Sequence, residues 1–178
     1  MSKKSKKVYV TSDCNKILKF SKDLGAEIIK IEPPGGDPAR QMEPFEEGQS
    51  VWFRNINRGK QSVVLDLKQK DNLQKLYRLV EESDIFVEAF RPGVANRLEI
   101  DYETLSAINP RIIYCSISAF GQDGPLAHHP AHDLAVEAFR GKYDANRHNP
   151  HCHVHPVIAA LILPKNDLLE NHMLRAKL

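Results

Sequence analysis

Three cations stand beside glycine turns at the ends of apolar runs. Arg58 and Lys60 flank Gly59 just ahead of Ser62-Val63-Val64-Leu65, and Arg91 opens Arg91-Pro92-Gly93 just behind Ile85-Phe86-Val87. Guanidinium and ammonium groups grip phosphate oxygens, and a glycine lets the backbone turn close to a ligand. In an open parallel α/β sheet, backbone amides and positive charge gather in this way around a phosphorylated ligand. Read from the residues alone, Arg58 and Lys60 could equally be a solvated loop pair. Arg91 could equally pair with Glu88 or Asp84.

Two other groups could do chemistry. His132-Asp133 stands before the stretch 134–139, and a neutral imidazole there could move a proton. The alternative is a helix start, with Asp133 favoured by the helix dipole. His148, His151, Cys152, His153 and His155 crowd one short segment. In an extended strand His151, His153 and His155 would share a face, a possible zinc or copper set. No second pair of ligands accompanies them, so no metal site is assigned.

The elements that must position these groups alternate between strand and helix. Residues 7–11 read as a strand. A helix follows, capped by Ser12 or Asp13, with Ile17, Phe20 and Leu24 on one face and Gly25 at its stop. Residues 27–32 form the next strand, ended by Pro33-Pro34-Gly35-Gly36. Residues 41–57 read as an irregular excursion anchored by packed Trp52 and Phe53. Then come a strand at 62–67 and a helix at 71–82 with Leu73, Leu76, Leu79 and Val80 buried. A strand at 85–90, a short helix at 102–108 and an apolar strand at 111–117 complete the alternation. This pattern is a parallel α/β sheet with flanking helices.

The 178 residues suit one domain, and the net charge of +2 gives no argument for nucleic acid. The basic start, Lys3 to Lys7, reads as a solvated terminus. No apolar run approaches the roughly 20 residues of a membrane span. Cys14, Cys115 and Cys152 are odd in number and widely spaced, which points to a reducing compartment.

The order and wording of three segments carry a family resemblance. They are Asn57-Arg58-Gly59-Lys60-Gln61-Ser62-Val63-Val64-Leu65-Asp66-Leu67-Lys68, Phe90-Arg91-Pro92-Gly93-Val94, and the run from Arg111 through Gly121-Gln122-Asp123-Gly124-Pro125. Over about residues 23–141 the chain resembles the class III CoA-transferases (CaiB/BaiF), a family that includes the α-methylacyl-CoA racemases. The resemblance implies a Rossmann-like CoA-binding domain over 1–141 and a divergent His-rich tail over 142–178 that is no separate domain. It implies Arg58, Lys60, Leu65, Arg91 and Arg97 as contacts to coenzyme A, the substrate handle, with no tightly bound cofactor. It implies glycine-loop amides at 121–124 near a thioester oxygen.

The implied reaction is transfer of CoA between an acyl-CoA and a carboxylic acid. In the racemases a His-Asp pair matching His132 and Asp133 moves the α-proton, which makes α-proton exchange the alternative. The transferases' nucleophilic aspartate has no match, since Asp144 and Asp167 lie in the wrong surroundings. Pro33 stands where the family often has Arg, and Ala89 where some members have Asn. The chain therefore reads as a fragment or altered-frame product, and a non-catalytic CoA-binding or partner-binding role is the third reading. Family members form interlocked homodimers; a chain this short would leave apolar surface uncovered. The expected setting is intracellular, in cytoplasm or mitochondrial matrix, with no nucleic-acid or membrane partner.

Overall fold

The computed structural model describes residues 7–10, 25–118, 120–129 and 173–177. In chain order its elements are β1 (Lys7–Val10), β2 (Glu27–Glu32), a 3-10 turn (Pro38–Gln41), β3 (Phe45–Glu46) and β4 (Gln49–Ser50). There follow α1 (Val51–Asn57), β5 (Gln61–Val64), α2 (Lys70–Glu81), β6 (Ile85–Glu88), α3 (Val94–Arg97), α4 (Tyr102–Ile108), β7 (Ile113–Ser118) and β8 (Met173–Lys177). Six strands make one sheet in the order β5-β2-β1-β6-β7-β8, and every pairing in it is parallel. Counted along the chain, the order is that of a doubly wound dinucleotide-type sheet. The winding reverses between β1 and β6, and ligands collect beyond the carboxyl ends of strands at such a point.

Strands β2, β6 and β7 are buried on both faces because they are apolar at successive positions, while edge strand β5 is largely exposed. Ile29, Ile31, Phe86 and Tyr114 pack with Leu73, Leu76, Val80 and Leu105 on the side covered by α2 and α4. Val8, Ile28, Val87, Cys115 and Ile117 pack together on the other. The Phe86 and Tyr114 rings stack at 5.7 Å. Burying each such ring is worth about 1.5–3 kcal/mol. Asp101 starts α4 by accepting from the Thr104 amide at 3.1 Å, and buried Asn109 closes the end of α2 from outside. Its side-chain amide donates to Val80 O and Ser83 O, both at 2.9 Å.

Two expectations need correction. Residues 41–57 are not irregular: a short hairpin, β3 with β4, leads into α1, which Ser50 caps by accepting from the Phe53 amide at 3.2 Å. Trp52 is 46% exposed rather than packed, because Phe53 takes the inward position on α1, under Arg40 at 4.0 Å. The tail also contributes more than its sequence suggests, since Met173–Lys177 pairs along β7 from Tyr114 to Ser118. The expected helix before Gly25 lies outside the described residues, but Gly25 itself has the left-handed φ of 89° that a helix stop requires.

Candidate functional site

The Arg91 turn sits beyond the carboxyl end of β6, one of the two strands at the winding reversal. β6 ends at Glu88, and Pro92 cannot continue the ladder. The Val94 amide then closes a turn on Arg91 O at 3.1 Å, with Gly93 at φ 81°. Only glycine takes that backbone without strain. Arg97 returns over the turn: a Cβ on Gly93 would lie 3.5 Å from its Nη1. Arg91 and Arg97 are both exposed, and neither Glu88 nor Asp84 pairs with Arg91. Asp84 instead accepts from the Lys7 amide at 2.9 Å.

Beneath the turn lies a polar floor that the sequence did not announce. Glu88 is 2% exposed, and no lysine or arginine among the described residues pairs with it. Its Oε2 accepts from the Phe90 amide at 2.7 Å. Burial pushes its carboxyl above the usual range, against hydrogen bonds from Ser116, the Phe90 amide and Tyr114. Ser116 in turn accepts from Gln122 Nε2 at 2.7 Å. A cavity of about 300 Å³ opens here, lined by Glu88, Pro92, Gly93, Tyr114 and Gln122 among others. Gly121 and Gly124, at φ 84° and 103°, shape the loop that carries Gln122. The glycine-rich loop is therefore at the same sheet edge as the Arg91 turn.

A second polar cluster occupies β2. Glu32 is 1% exposed and takes Arg40 through both its oxygens, at 2.7 and 2.8 Å. It also accepts from Ser62 Oγ at 2.7 Å and from the Asp37 amide at 2.9 Å. The Arg40 hydrogen bonds are the main reason its carboxyl falls to about 2, with Ser62 and the Asp37 amide adding to them against the cost of burial. Lys30, equally buried, pairs with Asp37, and its Nζ lies 3.5 Å from Asn57 Oδ1. The signal was available: Lys30 and Glu32 alternate on one face of an otherwise apolar strand, where charge survives only with partners.

This cluster claims part of the proposed ligand set. Lys60 Nζ donates to Asn57 Oδ1 at 2.9 Å. Lys60 directly precedes β5, level with the middle of β2, whereas Arg91 follows β6; β2 and β1 lie between them. The backbone therefore does not bring Arg58 and Lys60 to one strand edge with Arg91. Leu65 is a core residue, 5% exposed, and its amide bonds Glu32 O at 2.9 Å. Exposed Lys68 follows β5 and so lies at the carboxyl end of the sheet, as Arg91 does, with β2 and β1 between their strands. His132, Asp133 and the His148 to His155 cluster lie outside the described residues. Among those described, no three ligating side chains gather for a metal, and no helix is long and apolar enough to cross a membrane.

Known proteins resemble this chain in sequence and in fold. The Acetobacter aceti acetyl-CoA:oxalate CoA-transferase is 52% identical over 120 residues, covering 67% of this chain and 31% of that protein. The mouse succinyl-CoA:glutarate CoA-transferase is 39% identical over 121 residues, covering 67% of this chain and 28% of its own length. The crystal structure of a CaiB/BaiF family protein from Brucella suis superposes with a TM-score of 0.72 at 35% identity, over 76% of this chain and 38% of that one. The chain thus spans about a third of the length of the curated relatives it matches. The family model for CoA-transferase family III matches residues 18–162, past both ends of the 23–141 resemblance. A doubly wound sheet, an arginine turn at its reversal and this sequence match place the chain in CoA-transferase family III.

Proposed function

We propose that this chain holds coenzyme A at the carboxyl edge of its sheet and works in the transfer of CoA between an acyl-CoA and a carboxylic acid. The observation that carries the reading is the Arg91-Pro92-Gly93 turn at the winding reversal, with Arg97 folded over it. Arg91, Arg97 and Lys68 are the proposed phosphate contacts. Arg58, Lys60 and Leu65 enter through family resemblance. Lys60 has the smaller part because it already serves Asn57, and Leu65 has a backbone part because its side chain is in the core. His132 and Asp133 would serve α-proton transfer only in the racemase-type alternative, and the glycine loop at 121–124 would face the thioester. The names of the relatives support a carboxylic acid as acceptor, and a homodimer belongs to the same proposal. Free, buried Cys115 suits a reducing intracellular setting.

Calorimetric titration of the chain with CoA tests the reading, followed by an assay of CoA transfer to oxalate, glutarate or succinate. Arg91→Ala is expected to weaken CoA binding by about 10–100-fold, the worth of one or two charge-assisted hydrogen bonds. An affinity unchanged by that substitution removes the Arg91 turn from the site. Binding without transfer confines this chain to holding the substrate.

A further inference from the structure

We propose that Glu88 is a positioning residue: its carboxyl holds the backbone that presents Arg91 and, through Ser116 and Gln122, ties the Arg91 turn to the loop after β7. The inference rests on the reading of Arg91 as a phosphate contact and adds to it the residue that sets the geometry of that contact.

The position itself calls for explanation. Glu88 follows Phe86 on the same face of β6, where the neighbours are Phe86, Tyr114 and the apolar layer under α4. A leucine or valine would fill such a place at no electrostatic cost, whereas a carboxyl there loses its water. No lysine or arginine among the described residues offsets that loss. What the carboxyl gains is the Phe90 amide, donating to Oε2 at 2.7 Å, with Ser116 directly across from it on β7.

The groups around it hold different pieces of the site edge. Phe90 is two residues past Glu88, so its amide reaching back to Oε2 at 2.7 Å bends the chain off the strand axis just before Arg91. Ser116 stands directly across from Glu88 in the β6–β7 register and accepts from Gln122 at 2.7 Å. The Arg91 turn is thus fastened to the Glu88 carboxyl, and the glycine loop to the serine that stands across from it. Tyr114 belongs to the buried stack with Phe86 and lines the same cavity as Glu88.

The test compares Glu88→Leu, which keeps the volume and removes the acceptor, with Glu88→Gln, which keeps an acceptor oxygen. Both are measured in the full chain, with and without Arg91→Ala. Glu88→Leu is expected to raise the dissociation constant for CoA about tenfold, and by less than about twofold once Arg91 is already alanine, since coupled residues are not additive. Glu88→Gln is expected to stay within about threefold of the parent. Amide hydrogen exchange at 90–93 and 121–124 should quicken in Glu88→Leu while the centre of β7 is unchanged. Equal losses in both Arg91 backgrounds, a glutamine as damaging as leucine, or unaltered exchange at 90–93 overturns the inference. If Glu88→Leu does not fold, Glu88→Gln and the milder Ser116→Ala carry the exchange comparison. A parent chain that ignores CoA sinks the substrate reading instead, and the exchange data still decide whether Glu88 holds the turn.

Discussion

Replacing Glu32 by glutamine should cost this protein stability at neutral pH and progressively less in acid. The isosteric amide keeps an acceptor for Ser62 or for the Asp37 amide and gives up the two-oxygen clasp on Arg40. The carboxyl sits at about 2 against an ordinary 4.5. At 1.36 kcal/mol per pKa unit that difference is roughly 3 kcal/mol of folded-state preference for the carboxylate. Arg40 is 43% exposed, so solvent screens part of this and the freed guanidinium rehydrates easily. The expected loss at pH 7 is therefore about 2–3 kcal/mol, below the usual cost of breaking a fully buried pair.

The sign follows from the direction of the shift. A depressed carboxyl contributes fully above about 4.5, and its contribution fades as pH falls toward about 2. The gap between parent and Glu32→Gln should shrink to roughly half by pH 3 and nearly vanish at pH 2. Urea unfolding followed by circular dichroism at pH 7, 5, 4 and 3 measures it. A glutamine variant as stable as the parent at pH 7, or a gap that ignores pH, would refute the assignment of Glu32 as the ionised centre of this cluster.

Other expectations are simpler. Asn109→Ala removes both side-chain amide bonds at the end of α2 and the Oδ1 that accepts from the Arg111 amide at 3.1 Å. Val80 O keeps the Ser83 amide and hydroxyl, so the loss falls on Ser83 O and the Arg111 amide; it should cost about 1–3 kcal/mol in the same urea assay, and a loss below about 0.5 kcal/mol would count against the bonding described. Burial, with the nearby Glu88 charge second, pushes the Cys115 thiol up to about 12. Iodoacetamide at pH 8 should therefore leave Cys115 unmodified in the native chain and label it in urea, read by peptide mass spectrometry. Equal labelling in both states would show that the β7 face is open.

Function and fold were not equally legible. The turn Arg91-Pro92-Gly93 could be read from the chain because a proline and a glycine declare their backbone locally. Helix α4 could be read at its full length for the same reason, since Asp101 is a local cap. Arg58 and Lys60 show the opposite. Their spacing beside Gly59 looked like a match for Arg91, but Arg58 and Lys60 precede their strand while Arg91 follows its own, and the strand order sets β2 and β1 between the two strands. In this order a cation ahead of β5 and one behind β6 are divided, while Lys68 lies at the carboxyl end of the sheet, as Arg91 does. Trp52 and Phe53 are adjacent and similar in hydrophobicity, so only packing on Arg40 could choose between them.

By itself the sequence determined the alternation of strand and helix, the parallel sheet and the arginine turn, because these depend on periodicity and on residues that constrain their own backbone. It also carried the family, because the motifs stand in an order that does not arise from periodicity. Only the tertiary structure decided that Glu32 and Glu88, two buried glutamates at strand ends, have opposite fates. One meets a guanidinium and is held ionised; the other meets hydroxyls, an amide and an aromatic stack and is driven toward its neutral form. The physical reason is that a carboxyl's charge state depends on what surrounds it in space, and those neighbours come from distant parts of the chain.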